Sequence, residues 1–141
     1  MACERRAIVE RGVVRGYFLS AYSARKLGMR STGNAGGNHN LVVAPTVAGG
    51  LDALARQMGR GLIVTELMGQ GVNPVTGDYS RGAAGFWVEG GAIAHPVSEV
   101  TIAGNLRELY QRIVAIGDDV DRRGSKHVGS LLIESMQIAG A

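Results

Sequence analysis

The groups best suited to chemistry in this chain gather in one run, from Thr65 to Glu89. There Glu66, Gln70, Asn73, Asp78, Ser80 and Arg81 alternate with Gly69, Gly71, Gly77, Gly82 and Gly85 between two apolar stretches. A packed core has no use for such a stretch. Glycines at this spacing let the backbone turn tightly or approach another main chain, and polar side chains beside them hydrogen-bond an extended peptide. Glu66, Gly69, Gln70, Asn73, Asp78, Ser80 and Arg81 are therefore the expected peptide-groove or partner-binding residues. Asn34, in the Gly-rich turn 32–37, extends the same chemistry. Asp78 and Arg81 are expected to form a loop-stabilising pair. Glu66 and Arg81 either line a cavity or pair with each other at a sheet edge.

Other chemistries find less support. A zinc peptidase needs converging imidazole or carboxylate ligands. His39, His95 and His127 are isolated, with no second histidine at helical spacing, so each is read as an ordinary structural residue. A serine nucleophile needs an adjacent general base. Ser80 is the best-placed hydroxyl, but Gly77-Asp78-Tyr79-Ser80-Arg81-Gly82 is not a nucleophile elbow. An intrinsic hydrolase using Ser80 stays as a separate alternative. Neither Gly-rich loop matches a phosphate-cradling fingerprint. Cys3, the single cysteine, precludes an internal disulfide or a thiolate cluster and is expected to be inert.

The elements that must position these residues follow from pattern. The β-branched runs 5–9 and 13–19 flank Glu10-Arg11-Gly12 and predict a β-hairpin. Ser20 is the expected N-cap of a helix over 21–27, with Gly28 after its end. Residues 30–40 read as loop, and 41–45 as a strand ended by proline. Leu51, Leu54, Ala55 and Met58 fall at helical spacing. A strand from 62 runs into the signature loop, and 83–88 with 93–101 form a second hairpin. Phe86 and Trp87 alternate across it, so one faces the core. Leu106, Leu109, Tyr110, Ile113 and Val114 make one apolar stripe, which predicts a helix over 106–115 capped by Asn105, with Glu108 completing a capping box. Residues 128–138 close the fold as one or two strands. The expected class is α+β, mainly antiparallel sheet with a few short helices.

Composition narrows the class further. At 141 residues with 45% hydrophobic and 19% charged residues, the chain suits one folded domain with an aliphatic core. Fifteen basic against twelve acidic residues give +3, dispersed as singles and pairs, which argues against nucleic-acid binding. No run approaches the roughly 18 apolar residues of a membrane span, and no signal sequence opens the chain, so a cytoplasmic location is expected.

The signature run also resembles the PmbA/TldD family, described as modulators of DNA gyrase and as metallopeptidases. Residues 16–28, 32–37 and 96–106 look like further blocks of the family's C-terminal domain, and the likeness covers nearly the whole chain. In the TldD branch, zinc is held by a His-Glu-x-x-x-His helix upstream of the matched segment and by a cysteine near the C-terminus. The matching stretch here, 122–130, has no cysteine, so the resemblance favours the PmbA (TldE-like) branch. It implies a non-metal-bearing subunit or fragment of a cytoplasmic zinc-dependent peptidase complex acting on unfolded peptides, with no catalytic residue or cofactor of its own and zinc in a TldD-like partner. At family level it implies links to peptide-antibiotic maturation, antitoxin degradation and gyrase modulation. The alternative is a non-catalytic interaction module of the gyrase-modulator type. Family members are much longer, so residues 1–141 are expected to form a single C-terminal domain without the family's N-terminal domain. A homodimer is a further expectation for the chain in isolation.

Overall fold

The structure, a computed structural model, describes residues 4–140; Cys3 lies outside them. In chain order the elements are β1 (Val9–Glu10), β2 (Val13–Val14), α1 (Ala21–Lys26), β3 (Leu41–Val42), α2 (Gly50–Met58), β4 (Gly61–Met68), β5 (Asp78–Glu89), β6 (Ala92–Asn105), α3 (Leu106–Gln111), β7 (Ile113–Ile116), β8 (Lys126–His127), β9 (Leu131–Ile133) and β10 (Gln137–Ala139). The β1–β2, β10–β6–β5–β4 and β7–β9 ladders are antiparallel and the helices short, as expected of the α+β class. The chain folds as two compact units. One is built from residues up to Leu41 with Gly124–Lys126, the other from Val42–Arg123 with His127 onward.

In the first unit, β1 and β2 meet through Arg11 (φ 52°) and Gly12 (φ 77°). This left-handed pair gives a two-residue turn a twist matching that of the strands. The strands are shorter than 5–9 and 13–19, because all four ladder residues are exposed and little burial rewards a longer ladder. Ser20 caps α1 as expected: its hydroxyl accepts from the Ser23 N–H (3.1 Å) while the Ser23 hydroxyl accepts from the Ser20 N–H (2.9 Å). The Arg6 guanidinium donates to the Tyr17 carbonyl (2.8 Å) and to Asn34 Oδ1 (3.0 Å), so Asn34 is bound into the fold. Leu19 and Ala24 are the buried apolar residues here.

The second unit is organised by a sheet of order β10-β6-β5-β4. One cluster joins Ala83, Val100 and Ile102 with Leu62, Tyr79, Val97 and Met136. Two more sit on α2: Ala55 with Ile63 and Val88, and Leu54 with Ala115 and Leu132. The predicted α2 stripe therefore faces both the sheet and the β7–β9 pair. Its N-terminus lacks a capping side chain of its own, because the N-cap residue is Gly49. Asp118 supplies the cap from the loop after β7, its Oδ1 accepting from the Gly50 N–H at 2.8 Å. Next to it Asp119 accepts from the Ser130 hydroxyl (2.6 Å) and N–H (3.0 Å), and the hydroxyl bond above all holds its carboxyl below the usual range.

Three sequence expectations need correction. The helix over 106–115 ends at Gln111, and Ile113–Ile116 is strand β7 paired with β9. The stripe mimicked a longer helix, but β-branched Ile113 and Val114 suit a ladder, and pairing buries Ala115 against Leu54 and Leu132. Asn105 caps α3 through the Arg107 N–H (3.1 Å), yet no capping box forms, because Glu108 turns forward to Arg112 at 3.5 Å. The second hairpin is longer than predicted, with β5 starting at Asp78 and β6 ending at Asn105. Pro96 lies inside β6 opposite Phe86, which is tolerated because β10 pairs only with Thr101–Ala103 and the outer side of β6 has no strand partner at Pro96 among the described residues.

Candidate functional site

The stretch read as loop is mostly sheet. Glu66 lies on β4, and Asp78, Ser80 and Arg81 lie on β5. Between Met68 and Asp78 the chain continues as a narrow extension of the β4–β5 hairpin. The Ser80 N–H donates to the Gly71 carbonyl (2.7 Å), Val72 bridges Tyr79, and the Asn73 N–H donates to the Asp78 carbonyl (2.8 Å). A Cβ on Gly71 would collide with the Ser80 carbonyl, so the close approach requires glycine there.

The tip, Asn73 to Gly77, is closed by side chains that turns favour. Asn73 Oδ1 accepts from the N–H groups of Val75 (2.9 Å) and Thr76 (3.2 Å), while the Gly77 N–H donates to the Asn73 carbonyl (2.8 Å). The Thr76 hydroxyl donates to Asp78 Oδ2 at 2.6 Å. Asn105 then ties the tip to α3: its Nδ2 donates to the Thr76 carbonyl (3.0 Å) and to Asp78 Oδ1 (3.3 Å), and its Oδ1 caps the helix. Val75 projects from the tip with 92% of its surface exposed.

Two shallow grooves flank Asp78 and Tyr79. One, of about 340 Å³, is lined by Gln70, Gly71, Val72, Asn73, Asp78, Tyr79 and Ser80. The other, also about 340 Å³, runs along Gly104, Asn105, Glu108, Leu109, Arg112 and Met136. The fold thus brings Gln70, Asn73, Asp78 and Ser80 together at one groove. Gly69 lies just before it with φ 79° and open space around it.

Glu66 and Arg81 line neither groove. Glu66 is exposed beside a bulge in β4. Arg81 is half-buried opposite Ile102, with Nη2 donating to the Leu67 carbonyl (3.3 Å) and a buried Nε without a partner among the described residues. Neither the Asp78–Arg81 nor the Glu66–Arg81 ion pair forms, since Thr76 and Asn105 engage Asp78 and strand pleating points Arg81 to the opposite face from Ser80. Phe86 packs on the Ala55–Ile63–Val88 cluster, while Trp87 lies under Arg60 at 5.8 Å and donates to Glu89 at 3.2 Å.

Sequence reasoning missed Tyr79, which lines both grooves, and read Asn105 only as a helix cap. The alternation Tyr79, Arg81, Ala83 against Ser80, Gly82, Ala84 is the strand signal that could have found it.

The described residues do not suit a zinc centre, because no group of three or more His, Cys, Asp or Glu converges among them. Among the described residues Ser80 Oγ has no hydrogen-bonded base, and its groove contains no histidine. Among the described residues no helix is long and apolar enough to cross a membrane. On the outer side of the sheet, β4 has no strand partner among the described residues, so an eight-residue edge leads directly into the grooved tip.

Comparison with known proteins agrees with this architecture. The sequence model of the PmbA/TldA metallopeptidase C-terminal domain matches residues 1–140. The metalloprotease PmbA homolog of Haemophilus influenzae is 56% identical over 135 residues, covering 96% of this chain and 30% of that protein. Metalloprotease PmbA of Escherichia coli O157:H7 is 54% identical over 137 residues, covering 97% of this chain and 30% of that protein. A metalloprotease TldD homolog of Buchnera aphidicola is 22% identical over 127 residues, covering 83% of this chain and 26% of that protein. Two crystal structures, proposed modulators of DNA gyrase from Thermotoga maritima and Bacteroides thetaiotaomicron, superpose with TM-scores of 0.87 at 34% and 36% identity. Each covers 99% of this chain, which spans 34% and 31% of theirs. The chain thus spans about a third of the length of the relatives it matches. It belongs to the PmbA/TldD family of metallopeptidases, on the PmbA side, and carries the family's C-terminal domain.

Proposed function

We propose that this chain is part of the PmbA (TldE-like), non-metal-bearing subunit of a cytoplasmic zinc-dependent peptidase complex that acts on unfolded peptides, with the zinc in a TldD-like partner. The observation that carries this reading is the free β4 edge running into the Gln70–Ser80 groove. An edge strand binds an extended peptide through main-chain hydrogen bonds and leaves the flanking side chains to select it. Gln70 and Ser80 then meet the peptide, Glu66 and Gly69 border it along β4, and Arg81 holds that strand from β5 through the Leu67 carbonyl. Asn73 and Asp78 hold the tip in place. Water activation is assigned to the partner, because the residues described here do not suit zinc. The name metalloprotease carried by the PmbA relatives supports the reaction class.

The test is hydrolysis of an unfolded peptide by the full-length protein, alone and mixed with a TldD-like partner, with and without a zinc chelator. Turnover in the mixture only, abolished by the chelator, is the expected result. Turnover by the full-length protein alone that survives chelation and disappears in Ser80→Ala would overturn it in favour of a serine hydrolase. The solved neighbours described as proposed gyrase modulators favour a second reading, a non-catalytic interaction module. Hydrolysis in neither sample would select it.

A further inference from the structure

Charge is segregated between the two units. The first carries eight Arg and Lys against only Glu4 and Glu10, the second seven against ten acidic residues. The net +3 of the chain is therefore +6 on the first unit and −3 on the second. Glu10 is already engaged by Arg15 at 3.3 Å. The same unit exposes Val9, Val13, Val14, Tyr22, Leu27 and Met29 to between 48% and 67%, while only Leu19 and Ala24 are buried apolar residues among those described. None of the three core clusters lies in it. A unit of this size cannot hold its fold on two buried side chains, and large apolar residues exposed in this number point to contact with a further surface.

The composition states what covers it. Arg, Tyr and Met interleaved with aliphatic residues is the make-up of a protein interface centre. A nucleic-acid backbone would satisfy the arginines but leave Val13, Val14 and Leu27 uncovered. A second copy docking face to face would set +6 against +6. The chain spans only about a third of its relatives, so most of a protein of that length lies outside these residues. Tethering raises its local concentration to roughly millimolar, ahead of any separate partner. We propose that the surface of the first unit is covered, in the full-length protein, by an acidic and apolar surface of the same polypeptide outside residues 1–141.

Hydroxyl-radical oxidation of Tyr22 and Met29 tests this in the full-length protein, at a concentration where light scattering shows a monomer. Both residues should oxidise at least about tenfold more slowly than in the urea-unfolded protein, a ratio equivalent to about 1.4 kcal/mol. Replacing Arg25→Glu together with Lys26→Glu should restore most of that reactivity. If that variant does not fold, raising salt on the wild-type protein screens the same attraction and should act in the same direction. Oxidation of the monomer at the unfolded rate would overturn the proposal. So would protection that appears only on self-association or on adding a second protein. Protection indifferent to both charge reversal and salt would overturn the acidic character of the cover.

Discussion

Replacing Gly71 by alanine tests whether the hairpin extension depends on backbone-to-backbone approach. The new Cβ would run into the Ser80 carbonyl, a backbone group fixed in β5 that cannot rotate aside. Overpacking of this kind costs about 1–3 kcal/mol. Displacing Gly71 also sacrifices the 2.7 Å bond from the Ser80 N–H to its carbonyl, worth about 0.5–1.5 kcal/mol. The local opening free energy of the extension should therefore fall by about 1.5–4.5 kcal/mol, which accelerates exchange of the Ser80 and Asn73 amides on the order of 10- to 1,600-fold. Native-state hydrogen exchange on the full-length protein reads this directly. Gly36→Ala is the control, because nothing lies within 4 Å of its Cβ position, and a change under about 0.5 kcal/mol is expected there. The amide of Val88, farther along β5, should keep its wild-type rate, which separates local opening from global unfolding. A Ser80 amide within about threefold of wild type, below about 0.7 kcal/mol, would refute the argument.

Other outcomes follow from the same contacts. Asn105→Ala removes a helix cap and two bonds to the hairpin tip, costing about 2–3 kcal/mol in exchange of the Leu106 and Arg107 amides; Asn105→Asp should recover the cap but not the tip. Leu54→Ala, at a position 3% exposed between α2 and the β7–β9 pair, should destabilise by about 2–5 kcal/mol in urea unfolding. The Asp121 carboxyl, bound first by the Arg123 side chain and then by its backbone N–H, has its pKa lowered to about 2. Its folded value is depressed, so any stabilisation is present above the ordinary carboxylate range and fades as pH falls from there toward 2. NMR titration should show Arg123→Ala returning Asp121 toward that ordinary range. Arg81→Ala should lower peptide turnover by the mixed complex without weakening assembly, measured by kinetics and by light scattering on the same sample; unchanged turnover would remove Arg81 from the residues that serve peptide binding.

What was legible in the sequence was local. The capped helix at Ser20, the amphipathic stripe of α2, the turn at Arg11-Gly12 and the hairpin about Glu89-Gly90-Gly91 are all set by residues within a few positions of one another. The resemblance to one family was legible as well, because its blocks run along most of the chain. The candidate site was legible only in part, and not as an arrangement. Gln70, Asn73, Asp78 and Ser80 do share a groove, yet glycine spacing concealed that Asp78, Ser80 and Arg81 stand on a strand whose pleat sends Arg81 to the other face.

The remaining features came from partners distant in sequence. Ile113 and Val114 leave the helical stripe because β9, some twenty residues later, offers a ladder that buries Ala115. Asp78 pairs with Thr76 and Asn105 instead of Arg81 because β6 ends beside it. The segregation of charge was spread through the sequence in single residues and pairs, and it appeared only once the fold assigned them to two units. Helix caps, turns and amphipathic faces could be read from the residue order alone, because their energies are local. Which competing local pattern survives, and which side chain meets which, depended on burial and pairing with remote strands, whose energies exceed local propensity.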